Sequence, residues 1–192
     1  MKATAVIQVR MGSTRFPGKI MMKLDEKFTV LDYVIRQLGY SKLLENIIIA
    51  TTNLEQDNVI VEYAKNNGLQ IRASIEGRAV AGVNWRMFGS GPVPATAKAL
   101  KNTGLTMDDI DTMEINEAFA AQSLYCIKKA DWDINKVNLN GGAVALGHPL
   151  GISGTRIITT LLNVMEQQDR SMGLATMCVG TGQGITTIIK RG

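Results

Sequence analysis

A chain of 192 residues holds one medium domain or two small ones and is long enough to bury a core. Its 45% apolar content is that of an ordinary globular protein, and 21 basic against 17 acidic side chains leave a charge of only +4. The excess is spread evenly, 10 against 8 up to Glu76 and 11 against 9 beyond it, which marks out no nucleic-acid face; no apolar run nears the ~20 residues that span a bilayer, and no basic-then-apolar leader opens the chain.

From the N-terminus, Ala3 to Val9 is a short apolar run suited to a buried parallel strand. It ends in Arg10-Met11-Gly12-Ser13-Thr14-Arg15-Phe16-Pro17-Gly18-Lys19. Small residues there let backbone N–H groups approach an anion, and the two arginines and the lysine supply charge, so the segment suits a phosphate cradle. Chemistry alone equally describes a solvated basic loop. Val30, Val34, Ile35 and Leu38 recur at helical spacing with Gly39 as a stop, and Ile47 to Thr52 reads as a second buried strand. A helix fits Gln56 to Asn67, stopped by Gly68, and Leu69-Gln70-Ile71 starts a third strand.

This βαβαβ order is half of a doubly wound nucleotide-binding fold. The run Gln8 to Lys19 resembles the opening of cytidylyltransferases of the spore-coat polysaccharide type, related to sugar-nucleotide synthetases. The resemblance implies a loop that holds CTP, with Arg10, Gly12, Ser13, Arg15 and Lys19 as the nucleotide contacts and Arg15 and Lys19 on the phosphates. The metal-binding aspartates of that family belong to a later segment with no counterpart here, so no metal site is expected.

No Pro-, Gly- or Ser-rich linker separates Ile71 from Val83, which argues against two modules on a tether. The expected boundary falls between residues 76 and 77. Ala79 to Val83 reads as a strand end, and Pro94 in a first turn with Gly104 as a stop describes a helix. Thr112 to Ile115 is a short strand that enters Asn116, which can cap a helix from Glu117 to Lys129. Cys126 lies among apolar neighbours inside that helix and reads as packing. Val137 to Leu139 is a strand. A helix from Ser153 carries Ile157, Ile158, Leu161, Leu162 and Met165 on one stripe, and Gly173 to Met177, a turn from Cys178 to Gly182, and Ile185 to Ile189 form a closing hairpin. The fold class is α/β: a truncated Rossmann-like piece joined to three βα units and a hairpin.

Two glycine-dense runs stand out. Asn140 to Gly151 holds the only histidine, His148, and Cys178-Val179-Gly180-Thr181-Gly182-Gln183-Gly184 sets a thiol before three glycines. A tight loop with a structural histidine is one reading, and chemistry at a tunable proton is the other. Neither cysteine has the spacing of a metal or disulfide framework, and a reducing cytoplasm fits both.

Asn116-Glu117-Ala118-Phe119-Ala120, Gly141 to Gly151 and Cys178 to Gly184 resemble, in order and spacing, the three signature segments of the C-terminal half of thiolases, the acetyl-CoA acetyltransferases. Gly89 to Thr96 resembles a further segment, and the match runs from about residue 78 to the end. The resemblance implies a coenzyme A thioester as substrate and no cofactor. It makes His148 the group that activates a nucleophilic thiol, Cys178 a proton carrier, Asn116 the holder of a water, and the Gly180 N–H an oxyanion donor. The family's nucleophilic cysteine lies in its other half, whose place is taken here by about 75 unlike residues. A complementing polypeptide or a homo-oligomer is therefore the expected partner, with nucleic acid and membrane excluded. Three readings stay open: a thiolase-type acyltransferase remnant, a CTP-binding cytidylyltransferase-like protein, and a non-catalytic chimera.

Overall fold

The structure is a computed structural model and describes residues 3–52 and 54–192. The chain divides into two units, Met1–Ile71 and Arg72–Gly192.

In the first unit, β1 (Ala3–Gln8) pairs in parallel with β2 (Leu44–Ala50), from Thr4 opposite Asn46 to Gln8 opposite Ala50. Between them runs α1 (Val30–Gly39), started by a capping box in which the Asp32 amide donates to Thr29 Oγ1 and the Thr29 amide donates to Asp32 Oδ2. The helix α2 (Asn58–Asn66) comes after β2. Val9, Leu31 and Ile60 are the buried centre, with Ile7, Ile35, Ile49 and Tyr63 packed on them. Two expectations fail here. The strand from Leu69 does not form, because three residues offer too few ladder bonds to repay their ordering. In consequence the sheet has only two strands, and β1 is not buried: its alternate residues Thr4, Val6 and Gln8 are exposed.

The second unit is built on a four-stranded sheet. Its strands are β3 (Ser74–Gly82), β4 (Thr112–Ile115), β5 (Met172–Val179) and β6 (Gln183–Lys190), in the order β3-β6-β5-β4. The pairings of β6 are antiparallel and that of β4 with β5 is parallel. The boundary expected at 76/77 thus falls inside β3, whose register against β6 slips by a β-bulge between Ile75 and Gly77.

Successive residues of β5 and β6 point to opposite faces. Leu174 and Ile188 pack with Leu100, Met113, Ile115, Cys126 and Trp132, from the side of α3 (Pro92–Thr103) and α4 (Ala120–Lys129). Ala175 and Ile189 pack with Ile157, Leu161, Leu162 and Met165 of α6 (Ser153–Gln167), numbered after the one-turn α5 (Ala143–Leu146). Helices therefore cover both faces, and the apolar stripe read in α6 is the buried one.

The strand expected at residues 137–139 shrinks to a single bridge, Val137 to Met113. At Asn138 the backbone turns to φ 49°, and its side chain replaces the missing strand: Oδ1 accepts from the Ile115 amide at 2.8 Å and Nδ2 donates to the Ile115 carbonyl at 3.0 Å. An Asn is suited to this, since it tolerates left-handed backbone and carries an amide of its own.

The start of α3 lies against β6 with no room for a side chain. A Cβ at Gly184 would sit 2.1 Å from the Gly91 carbonyl, and one at Gly91 would sit 2.4 Å from the Gln183 carbonyl. Backbone cannot yield as a side chain can. Gly184→Ala is expected to destabilise the second unit by about 3 kcal/mol, the upper range for overpacking, read as a lowered urea midpoint for that unit; an unchanged midpoint would show that α3 can move away.

Candidate functional site

Asn116 comes directly after β4, and its amide donates to the Thr176 carbonyl at 2.9 Å, one more rung of the parallel ladder. It does not cap a helix: α4 begins at Ala120, and residues 117–119 are irregular. The Asn116 side chain is instead fully buried. Its Oδ1 accepts from Arg156 Nη2 at 3.1 Å, and its Nδ2 lies 3.4 Å from both ring nitrogens of His148. Equal distances mean that the amide is aligned with neither lone pair, a long and weak contact.

His148 is half-buried after α5, beyond Gly147, whose φ of 86° ends that helix. Its Nδ1 lies 2.6 Å from Ser153 Oγ, and the Ser153 hydroxyl donates to the Pro149 carbonyl at 3.1 Å. A hydroxyl has one proton to give. With that proton on Pro149, Ser153 accepts from Nδ1–H, and the partners so assign the tautomer with its lone pair on Nε2.

Cys178 belongs to β5, not to the expected turn, and the turn begins at Gly180 with φ 57°. Burial pushes the Cys178 thiol above its ordinary range, against a smaller opposing effect of its own backbone amide. No charge draws it toward neutrality, so Cys178 is a protonated thiol at neutral pH. Among the described residues no hydrogen bond joins Cys178 to His148. Cys126 is wholly buried in α4, as expected for packing, and burial raises its thiol as well.

Several side chains of the site escaped sequence reading. Glu117 links the end of β4 to the glycine run, since Oε2 accepts from the Val144 amide and Oε1 from Asn138 Nδ2, each at 2.9 Å. Ser153 and Arg156 read as ordinary members of a buried helix, and only the 148/153/156 spacing across a loop and one helical turn hinted otherwise. Glu114 is the charged residue of a wholly buried strand, 3% exposed. Burial, with Glu117 nearby adding to it and Arg156 opposing, raises its carboxyl to about 8.

Beside Gly180 a cavity of about 500 Å³ is lined by Trp85, Arg86, Phe88, Gly180 and Thr181. Phe88 meets Phe119 edge to face at 6.2 Å between ring centres.

In the first unit the basic loop closes on itself. The Met11 carbonyl accepts from the amides of Ser13 at 2.8 Å and Gly18 at 2.9 Å, and the Met11 amide donates to the buried Asp57 at 2.6 Å. Arg10, Gly12, Arg15 and Lys19 are exposed and Ser13 is half-buried. The loop's shape is set by Asp57, the residue just before α2, which the sequence did not point to. Among the described residues no cluster of three or more His, Cys, Asp or Glu is placed to share a metal ion, and no helix is long and apolar enough to cross a membrane.

Comparison with known proteins matches two family models. The family model "Thiolase, C-terminal domain" covers residues 69–191, and the model "Cytidylyltransferase" covers residues 4–76. Over 133 residues the chain is 62% identical to a 3-ketoacyl-CoA thiolase of Shewanella loihica and 63% to one of Vibrio cholerae, covering 68% of this chain and 34% of each relative. The solved structures it resembles include a Bacillus anthracis acetyl-CoA acetyltransferase, at 44% identity and TM-score 0.66, and human mitochondrial 3-ketoacyl-CoA thiolase in complex with CoA, at 43% and 0.66; each match covers 68% of this chain and 33% of the other. The chain thus spans about a third of the length of the relatives it matches.

The burial of these groups sets two outcomes. Glu114 binds its proton more tightly folded than unfolded, so its contribution to stability is full below its unfolded pKa and is lost as pH rises toward about 8. Between pH 5 and 8 the second unit should lose stability, by on the order of a few kcal/mol, and Glu114→Gln should flatten that slope in denaturant titrations. With both thiols raised, access decides reactivity, so Cys178 should be alkylated by iodoacetamide at least about tenfold faster than Cys126, checked by peptide mass spectrometry.

Proposed function

Residues 69–191 make this chain a member of the thiolase family, and from that premise we propose that its second unit is an acyl-CoA thioester site of the acetyl-CoA C-acetyltransferase type, completed by a polypeptide that supplies the nucleophilic cysteine. The observation that carries this reading is the meeting of Asn116 and His148 past the end of β4, on the strand next to the one that bears Cys178. Ligands of open α/β sheets gather at that end of parallel strands.

In this reading the His148 Nε2 lone pair takes the proton of the incoming cysteine thiol, whose sulfur attacks the thioester carbonyl. The acyl group passes to that cysteine, and coenzyme A leaves as a thiol with a proton returned by the protein. Cys178, protonated at neutral pH, serves first as a donor toward the leaving sulfur or the substrate α-carbon. The Gly180 N–H and a water on the Asn116 amide face the carbonyl oxygen as charge develops; losing one such donor costs about 3 kcal/mol of barrier stabilisation. Trp85 and Phe88 give the acyl chain an apolar wall beside Gly180.

Support for a complementing chain comes from the segments around the site. Phe119, Val144, Leu146, Leu150 and Ile152 all stand exposed there, Leu150 at 83%. So large an apolar grouping around one site is the mark of an interface. A soluble, cytoplasmic setting suits two free thiols.

A second reading concerns the first unit. Its exposed Arg10, Arg15 and Lys19 around a self-closed loop after a parallel strand support CTP binding there, with Arg15 and Lys19 on the phosphates.

Thermal unfolding of the chain alone, with acetyl-CoA, and with CTP tests both. At ligand tenfold above its dissociation constant the bound unit gains about 1.4 kcal/mol, a rise of roughly 5–10 °C for units of this size. A rise with acetyl-CoA that is lost in Asn116→Ala supports the thioester site; a rise with CTP alone transfers the function to the first unit; no rise with either overturns both.

A further inference from the structure

We infer that Arg156 is a positioning residue, whose guanidinium spans the two segments that bring Asn116 and His148 together and sets which end of the Asn116 amide faces the imidazole. The inference rests on the reading of Asn116 and His148 as one reactive unit, but its geometry stands apart from any substrate. Arg156 Nη2 donates to Asn116 Oδ1 at 3.1 Å, and Nη1 donates to the carbonyl of Gly147, the residue before His148, at 2.5 Å. One rigid fork thus ties the end of β4 to the His148 turn.

Donor counting then fixes the orientation of Asn116. A guanidinium has donors only, so the amide must turn its oxygen toward Arg156 and its NH2 toward the imidazole. The NH2 group lies 3.4 Å from both ring nitrogens, and with Nδ1 engaged by Ser153 at 2.6 Å it bears on Nε2, where a lone pair suits it and a proton does not. Ser153, one helical turn earlier on the same helix, accepts from Nδ1–H while its own hydroxyl donates to the Pro149 carbonyl, which leaves the lone pair on Nε2. Arg156 and Ser153 thus hold opposite sides of one arrangement from a single turn of α6. Without Arg156 the amide can turn over and offer its oxygen. The ring then gains by placing a proton on Nε2, and Ser153 can respond by donating to Nδ1. Lysine keeps the charge but has no planar fork, so it cannot hold Asn116 Oδ1 and the Gly147 carbonyl in fixed relation.

His148 is the only histidine of the chain, so its ring nitrogens give one unambiguous set of signals. Long-range 1H–15N spectra of the full chain, recorded without ligand at pH 8.5, read the tautomer. The wild type is expected to show the Nδ1–H form alone. Arg156→Met and Arg156→Lys should both lose that single-form pattern and show a second, Nε2–H form, while backbone amide signals of β5 and β6 stay in place. An unchanged ring pattern in Arg156→Met overturns the inference. A wild-type pattern in Arg156→Lys overturns the fork and leaves charge alone as the cause. Should Arg156→Met fail to fold, Arg156→Lys decides by itself. Because no ligand is present, failure of acetyl-CoA to bind removes the proposed function without touching this result.

Discussion

The parallel pairing of β4 with β5 is the constraint on which the site depends. Thr112 to Ile115 lie opposite Gly173 to Thr176, and the Asn116 amide adds a further bond to the Thr176 carbonyl. Both strands therefore run out at the same end of the sheet. Asn116, just past one strand, and Cys178, near the end of the other, are brought to one place by backbone hydrogen bonds alone. The side chains then add orientation. Glu117 and Asn138 tie the end of β4 to the glycine run, and the first turn of α6, fixed on the sheet by Ile157 and Leu161, holds His148. A strand register locates the groups, and a helix packed on the other side of the core aims them.

Much of this was legible in the chain. The helical stripe of α6, the Gly104 stop of α3 and the β-branched final strand were local signals, and each gave its element. The expectations that failed depend on residues far apart. Asn116 has the chemistry of a helix cap, and nothing nearby shows that Arg156, 40 residues on, takes its oxygen. Residues 137–139 have the composition of a strand, but a positive φ at Asn138 ends the ladder after one bridge and lets an amide side chain continue it. The thiol of Cys178 suggested activation because glycines come after it; its strand position and burial push the thiol the other way. Glu114 carries no signal at all, since a single carboxylate within Thr-Met-Glu-Ile reads as the exposed side of a strand and proves to be buried.

The two units differ in how far their sheets can support a core. Among its described residues the first has two strands and three buried apolar side chains, Val9, Leu31 and Ile60. A two-stranded sheet leaves ladder groups unpaired on both outer edges, and its stability leans on the helices packed upon it. The second has four strands with helices on both faces, and its buried side chains form two clusters on opposite sides of β5 and β6. The same length of apolar strand is thus worth more in the second unit, where each residue finds neighbours on its own face.

The bulge between Ile75 and Gly77 has a bearing on how β3 keeps its faces. The two family matches overlap at residues 69–76, and β3 takes its first residues from that overlap. In a regular strand one extra residue would turn every later side chain to the wrong face. The bulge takes up that one residue. Ser74 and Ile75 keep their places opposite Lys190 and Ile189, while Arg78 onward keep theirs opposite Thr187 and its successors. Where the two family matches overlap, the ladder to β6 stays continuous because two residues of β3 stand opposite one of its partner.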